Sequence, residues 1–165
     1  MRALFVNHCH PDMPHVCALR MRKFAKAMAL RGHQIVLLTE AQLDRKSRYV
    51  KGDMERAIKE HDWVEPLVVP IVPTLDPILI SLRKKRIVLG LRQLVIFSKF
   101  LVRNGVFGDW RRGVREFSGE ISKYFQPEII WASFGNTDCW NIAQDLSRQN
   151  DCPWVADVKD SWNAF

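Results

Sequence analysis

The stretch NHCHPDMPHVC, residues 7–17, sets His8, His10 and His15 beside Cys9 and Cys17. Imidazoles and thiolates are ligands for zinc and similar ions. Imidazole also donates and accepts hydrogen bonds near neutral pH, so it suits contact with a polar ligand. Three readings compete: a metal centre, a surface loop whose histidines bond to backbone, and a polar surface that touches a ligand. Spacing argues against metal, because His-x-His plus a distant His is no zinc-finger pattern. Cys17 also fits an apolar helical stripe, and strand geometry, if it persists here, turns Cys9 away from His8 and His10. No metal is therefore expected. The choice between the other two readings depends on where the fold places the loop.

The flanking elements give that place. RALFVN (2–7) is a short apolar run at the start of the chain, a candidate buried strand. In the segment that follows, Cys17, Met21, Phe24 and Met28 recur at helical spacing, and Gly32 with Arg31 marks the helix end. QIVLLT (34–39) is a second strand, which makes a parallel pair with a crossover helix. DMERAIKEH suggests a short helix. WVEPLVVPIV (63–72) is a third strand, with Pro66 and Pro70 assigning it to an edge. RRGVREFSGEISKYF places Val114, Phe117, Ile121 and Tyr124/Phe125 on one helical face, and Pro127 stops it. EIIWAS (128–133), NTDCWNIAQDLSRQN and PWVADV (153–158) complete the pattern as strand, helix, strand.

Alternating strands and helices predict a Rossmann-like, doubly wound α/β fold. Its mostly parallel sheet is expected in the order 3-2-1-4-5, with helices on both faces. Ligands of such sheets lie outside the carboxyl ends of the strands, at the switch point beside strand 1. The His-rich loop falls there, with SFGN after strand 4 and KDSW after strand 5 nearby. That position favours ligand contact. At the tail, Asp157, Lys159, Asp160 and Trp162 cluster where strand 5 meets the crevice. A carboxylate there binds sugar hydroxyls or, equally, Asp160 caps a following helix. No GxGxxG follows strand 1, and neither GxxxxGK[ST] nor GxSxG occurs, which removes the dinucleotide, P-loop and serine-hydrolase readings.

The second feature is a basic crossover, residues 77–125. Positions 83–115 hold ten Lys or Arg against one acid, Asp109, and so dominate the chain's net charge of +7. If 84–103 is helical, Lys85, Arg92, Lys99 and Arg103 share a sector of about 40°, and nearly everything else on the wheel is apolar. Such a helix lies on an anionic membrane surface, or is deeply buried with one solvated basic edge. Gly90 is a point where it could divide. Nucleic acid is a weaker partner, because no aromatics interleave with the basic residues.

A length of 165 residues with 47% hydrophobic content suits one domain, residues 1–165, with a sizeable core. The opening MRALFVNHCH, with its short apolar run, predicts no secretory leader, and no run of about 18 uncharged apolar residues occurs to suggest a membrane span. The four cysteines, Cys9, Cys17, Cys139 and Cys152, show no paired spacing. They read as reduced thiols in a cytoplasmic protein.

Two segments resemble one family. MRALFVNHCHPDM…RMRKFAKAMALRGHQIVLLT is similar to the opening of retaining glycosyltransferases of family 4 (group 1), where a strand, loop and helix run through an RGHEVTVLT-like turn into strand 2. PEIIWASFGNTDCWNIAQDLSRQNDCPWVADVKDSW resembles their PDVVWAS…IPWVADFRDPW segment. Residues 40–126 match nothing specific.

The resemblance implies the amino-terminal, acceptor-side half of a two-domain GT-B enzyme. The other domain would hold the nucleotide-sugar, and the chain alone is expected to be inactive. The implied acceptor is a lipid-linked or cell-envelope saccharide, and the implied place is the cytoplasm, peripheral on the inner face of the membrane. Transfer in the family is usually metal-independent, and no cofactor is expected beyond the donor substrate. By motif position the resemblance carries over Arg20, Lys159 and Asp160 as substrate-lining residues, with His8, His10 and His15 as loop neighbours; it singles out no catalytic residue.

Departures from the family are local. The Gly-Gly pair after strand 1 is absent, WASFGN lacks the His after strand 4, and Lys159-Asp160 stands for an Arg-Asp pair. The alternative is a non-catalytic Rossmann-like module that binds a small anionic ligand or an acidic partner.

Overall fold

The apolar runs become a five-stranded sheet in the computed structural model, which describes residues 1–41, 52–73, 89–103, 108–133 and 137–158. The strands are β1 (Arg2–Val6), β2 (Gln34–Glu40), β3 (Leu67–Ile71), β4 (Ile129–Ser133) and β5 (Trp154–Asp157). All pairings are parallel, in the order β3-β2-β1-β4-β5. This is the Rossmann-like arrangement expected from the sequence. Pro70, which has no amide hydrogen to give a ladder, sits in edge strand β3 opposite Thr39. Strand order reverses between β1 and β4, so the loops after these strands flank the switch point.

Alternate residues of each strand supply two cores. On one face Leu4, Val6, Val36, Leu38, Ile130 and Ala132 pack under three helices. These are α2 (Met54–Glu60), α4 (Gly108–Glu120) and α5 (Thr137–Asn150). On the other face Ala3, Phe5, Ile35 and Leu37 meet Met21, Ala25 and Ala29 of α1 (Val16–Ala29). The buried stripe of α1 is Ala18, Met21, Ala25 and Ala29. The sequence pattern had pointed to Cys17, Met21, Phe24 and Met28. The correction has a steric cause: alanines let the helix approach the sheet, and the larger side chains splay to its flanks. Gly32, with φ +81°, closes the helix end by donating to the Ala29 carbonyl, while His33 N donates to Met28 O.

The crossover contains α3 (Leu89–Arg103), with Gly90 in its first turn. Leu94, Phe97, Leu101 and Val102 are 60–83% exposed, which overturns the reading of a deeply buried helix. Lys85 and the side chains of Arg92, Lys99 and Arg103 lie outside the described residues. On the wheel of α3, positions 94, 97 and 101 lie opposite positions 92, 99 and 103. No described helix is long and apolar enough to cross a membrane.

Helix α4 matches its pattern. Trp110, Val114, Ile121 and Phe125 are buried, and Phe117 and Tyr124 pack partly against them. It widens into a π-helical turn at Ile121–Phe125, and Gln126 (φ 50°) and Pro127 end it. Arg111 grips Asp145 of α5 through two hydrogen bonds, 2.9 and 2.8 Å, and Arg115 adds a third at 3.2 Å. Part of the basic block is thus held by the fold itself. Burial tends to raise the Asp145 carboxyl pKa, but the hydrogen bond and charge of Arg111, with Arg115, outweigh it and hold the carboxyl below its ordinary value.

Candidate functional site: the switch-point rim

The loop at the switch point begins where β1 ends. Asn7 N continues the ladder by donating to Leu38 O at 3.0 Å, but its side chain, fully buried, leaves strand geometry behind. Asn7 Nδ2 donates to the carbonyls of both Cys9 and Cys17, each at 3.3 Å. One buried amide therefore ties the loop to the first turn of α1, ten residues away in sequence. Strand alternation does not extend past Val6, and this removes the geometric argument that separated Cys9 from the histidines.

His8, Cys9 and His15 come together. Cys9 Sγ is 3.1 Å from His8 Nε2 and 3.6 Å from His15 Nδ1. His15 is the N-cap of α1, and its Nδ1 accepts from Cys17 N at 3.2 Å. The ligand atoms of Cys9, His15 and Cys17 all lie within 4.8 Å of one another. Cys9 is buried, Cys17 half-buried and His15 exposed, so the group opens to solvent on one side. His10 behaves differently. It is 8% exposed, its Nδ1 accepts from Asp12 N at 3.3 Å, and its carbonyl accepts from Met13 N at 3.0 Å. This histidine shapes its own turn, the backbone-bonded role foreseen as one alternative.

Beside the loop, Arg20 of α1 reaches the end of β5, where its Nη2 lies 2.8 Å from Asp157 Oδ1. The carboxylate is largely enclosed (12% exposed) and the guanidinium half open. The pair spans a groove of about 560 Å³ whose lining includes Arg20, Lys23, Phe24, Trp131, Ser133 and Asp157. Its floor is an aromatic cluster. Phe24 stacks on Phe5 at 5.6 Å and meets Trp131 at 4.9 Å, tilted by 52°. An apolar aromatic floor with two cations, Arg20 and Lys23, and one anion, Asp157, in its lining can take a flat, hydroxyl-bearing ligand. The ring face lies on the aromatics and the hydroxyls reach the charged groups.

The chain matches no family model, no curated protein and no solved structure. Its functional reading therefore rests on the site itself.

Of the residues singled out from sequence, His8, His15 and Arg20 stand along the rim, and His10 is turned into its loop. Lys159 and Asp160 lie outside the described residues. Asp157, in the tail cluster, is the residue of that cluster the structure places at the rim. Sequence reasoning passed over Asn7, Phe24 and Trp131 as site residues. A polar residue that ends an apolar strand was the available signal for Asn7. For Phe24 and Trp131 there was none, since an aromatic on a helix flank or strand face reads as core.

Proposed function

We propose that this chain is the acceptor-side domain of a retaining glycosyltransferase, binding a lipid-linked or cell-envelope saccharide that receives sugar from a nucleotide-sugar donor. The observation that carries the reading is the groove at the carboxyl rim, with Arg20 and Asp157 facing each other over Phe24 and Trp131. Sugars present apolar C–H faces and hydroxyl edges, and this groove offers partners for both. In that role Asp157 accepts from acceptor hydroxyls, and Arg20 orients the carboxylate and donates to ring or bridging oxygens. Trp131 and Phe24 supply the stacking surface. Donor phosphates would be held elsewhere, consistent with the lack of a glycine-rich cradle in this chain.

A membrane-bound acceptor is supported by α3. Its exposed Leu94, Phe97 and Leu101 form one apolar face, and the basic positions lie on the opposite side of the wheel. A helix of this kind lies in the headgroup region of an anionic leaflet, each nearby Lys or Arg adding about 1 kcal/mol.

The test is binding of saccharides and nucleotide-sugars to the purified chain, followed by ligand-observed NMR and calorimetry. Saccharide binding weakened at least tenfold by Trp131→Ala and by Asp157→Asn is the expected result. Failure of a broad panel of cell-envelope saccharides to bind, with a nucleotide or small anion binding at Arg20 instead, overturns the reading in favour of an anion-binding module.

A further inference from the structure

We propose that Cys9, His15 and Cys17 bind a zinc ion, with His8 as the fourth ligand, and that this ion staples the switch-point loop to the start of α1. The proposal rests on the Cys–His convergence and is independent of the sugar groove. In a tetrahedral centre with Zn–S near 2.3 Å and Zn–N near 2.0–2.1 Å, a sulfur and a nitrogen ligand stand about 3.6 Å apart. Cys9 Sγ and His15 Nδ1 are 3.6 Å apart, and the three ligand atoms of Cys9, His15 and Cys17 span no more than 4.8 Å. His8 Nε2 lies 3.1 Å from Cys9 Sγ but outside this mutually close trio, so it joins as the fourth ligand only when its side chain turns toward His15 and Cys17.

The chemistry of the donors selects the ion. Two thiolates and two neutral imidazoles balance a divalent charge and suit zinc, whereas calcium and magnesium require oxygen ligands. The geometry is already paid for by other contacts. Asn7 Nδ2 holds the Cys9 and Cys17 carbonyls together from a fully buried position, so the two thiols are presented side by side without the ion. Binding replaces the Cys9 thiol's hydrogen bonds to His8 and His15 and displaces the Cys17 N–H donation to His15 Nδ1. That amide is in an exposed first helical turn, where water replaces the cap at small cost relative to two metal–thiolate bonds. With four protein ligands the site is closed, so the ion is structural and leaves no open position for substrate.

The experiment is titration of the chelator-stripped chain with Co²⁺, followed by displacement with Zn²⁺. One equivalent of Co²⁺ is expected to give the visible bands of a tetrahedral ion with sulfur-to-cobalt charge transfer, bleached by Zn²⁺. Cys17→Ser, at a half-buried position, and Cys9→Ser should each remove roughly half of the charge-transfer intensity. Asn7→Ala should retain both thiolate bands and weaken affinity about 10–100-fold, as an orienting partner does. Cys152→Ser, buried in the opposite core, should change nothing. Circular dichroism confirms that each variant is folded, and if Cys9→Ser is not, Cys17→Ser decides. Octahedral Co²⁺ without charge transfer, or bands that survive Cys17→Ser undiminished, overturns the proposal and leaves a hydrogen-bonded thiol–imidazole cluster.

Discussion

Asp145→Asn separates the part of the basic block that serves the fold from the part left for a partner. Asp145 of α5 accepts a two-pronged grip from Arg111 and a further bond from Arg115, both on α4. The Asp145 and Arg111 side chains are 25% and 18% exposed, and Arg115 is 60% exposed. Exposed pairs contribute about 0.2–1 kcal/mol, while removing one partner of a fully buried pair costs about 3–5 kcal/mol. The intermediate burial and two-pronged geometry place the loss for Asp145→Asn at about 1–2 kcal/mol at pH 7. The pH dependence has a definite sign. The folded carboxyl titrates below its ordinary value, so the stabilisation is complete above the unfolded carboxylate pKa, about 3.9. It is lost as pH falls through the lower folded value, because the protonated acid and the amide then resemble each other. Urea unfolding of wild type and variant from pH 7 down to pH 3 measures this. The two stability curves should converge in acid. A difference that stays constant across that range would show a packing defect rather than a charge effect, and no difference at pH 7 would refute the helix–helix clamp altogether.

Three further outcomes follow from the same geometry. Gly113→Ala should cost about 1–3 kcal/mol by denaturant titration, because a Cβ there runs into the Val72 carbonyl oxygen and the Ile71 side chain and forces α4 off the sheet. Phe97→Glu combined with Leu101→Glu should abolish co-sedimentation with anionic vesicles without lowering the urea midpoint, since both side chains are about 60% exposed; undiminished pelleting would remove α3 as the contact. Arg20→Ala should weaken saccharide binding by about tenfold with a change in stability of less than about 1 kcal/mol, as expected for a half-exposed pair partner; calorimetry and thermal melting read the two effects separately.

The layout of the sheet was legible because its signals are local and redundant. Each strand is an apolar run between polar segments, and Pro70 marks the edge strand without any tertiary knowledge. Parallel pairing followed from the crossover helices, and the strand order from the known behaviour of such units. The α4 stripe was legible for the same reason, since large apolar residues at three- and four-residue spacing have few alternatives to burial. The fate of α3 was not. An excess of apolar residues around a helix is compatible with burial or with an outward-facing patch, and only tertiary contact separates them.

The rim shows a different kind of illegibility, and Asn7 and Ala25 explain it. Counting apolar residues assigned Cys17 and Phe24 to the core, yet contact with a sheet is governed by how closely a helix can approach. Alanines at 18, 25 and 29 make the approach, which releases Cys17 toward the loop and Phe24 toward Trp131. Alternation from β1 then failed at one residue, because the buried Asn7 amide bends the chain to satisfy two carbonyls that no strand partner reaches. The same two events created both features of the rim. With a wider helix seat, Phe24 would fill the core and the groove would lose its floor; without the Asn7 tie, the Cys9 and Cys17 carbonyls would lose their shared donor. A substitution of Ala25 by leucine therefore tests the connection between them: lifting α1 from Phe5 should disturb the Phe24–Trp131 contact and the Cys9–Cys17 approach together, readable as a joint change in tryptophan fluorescence and in thiol reactivity.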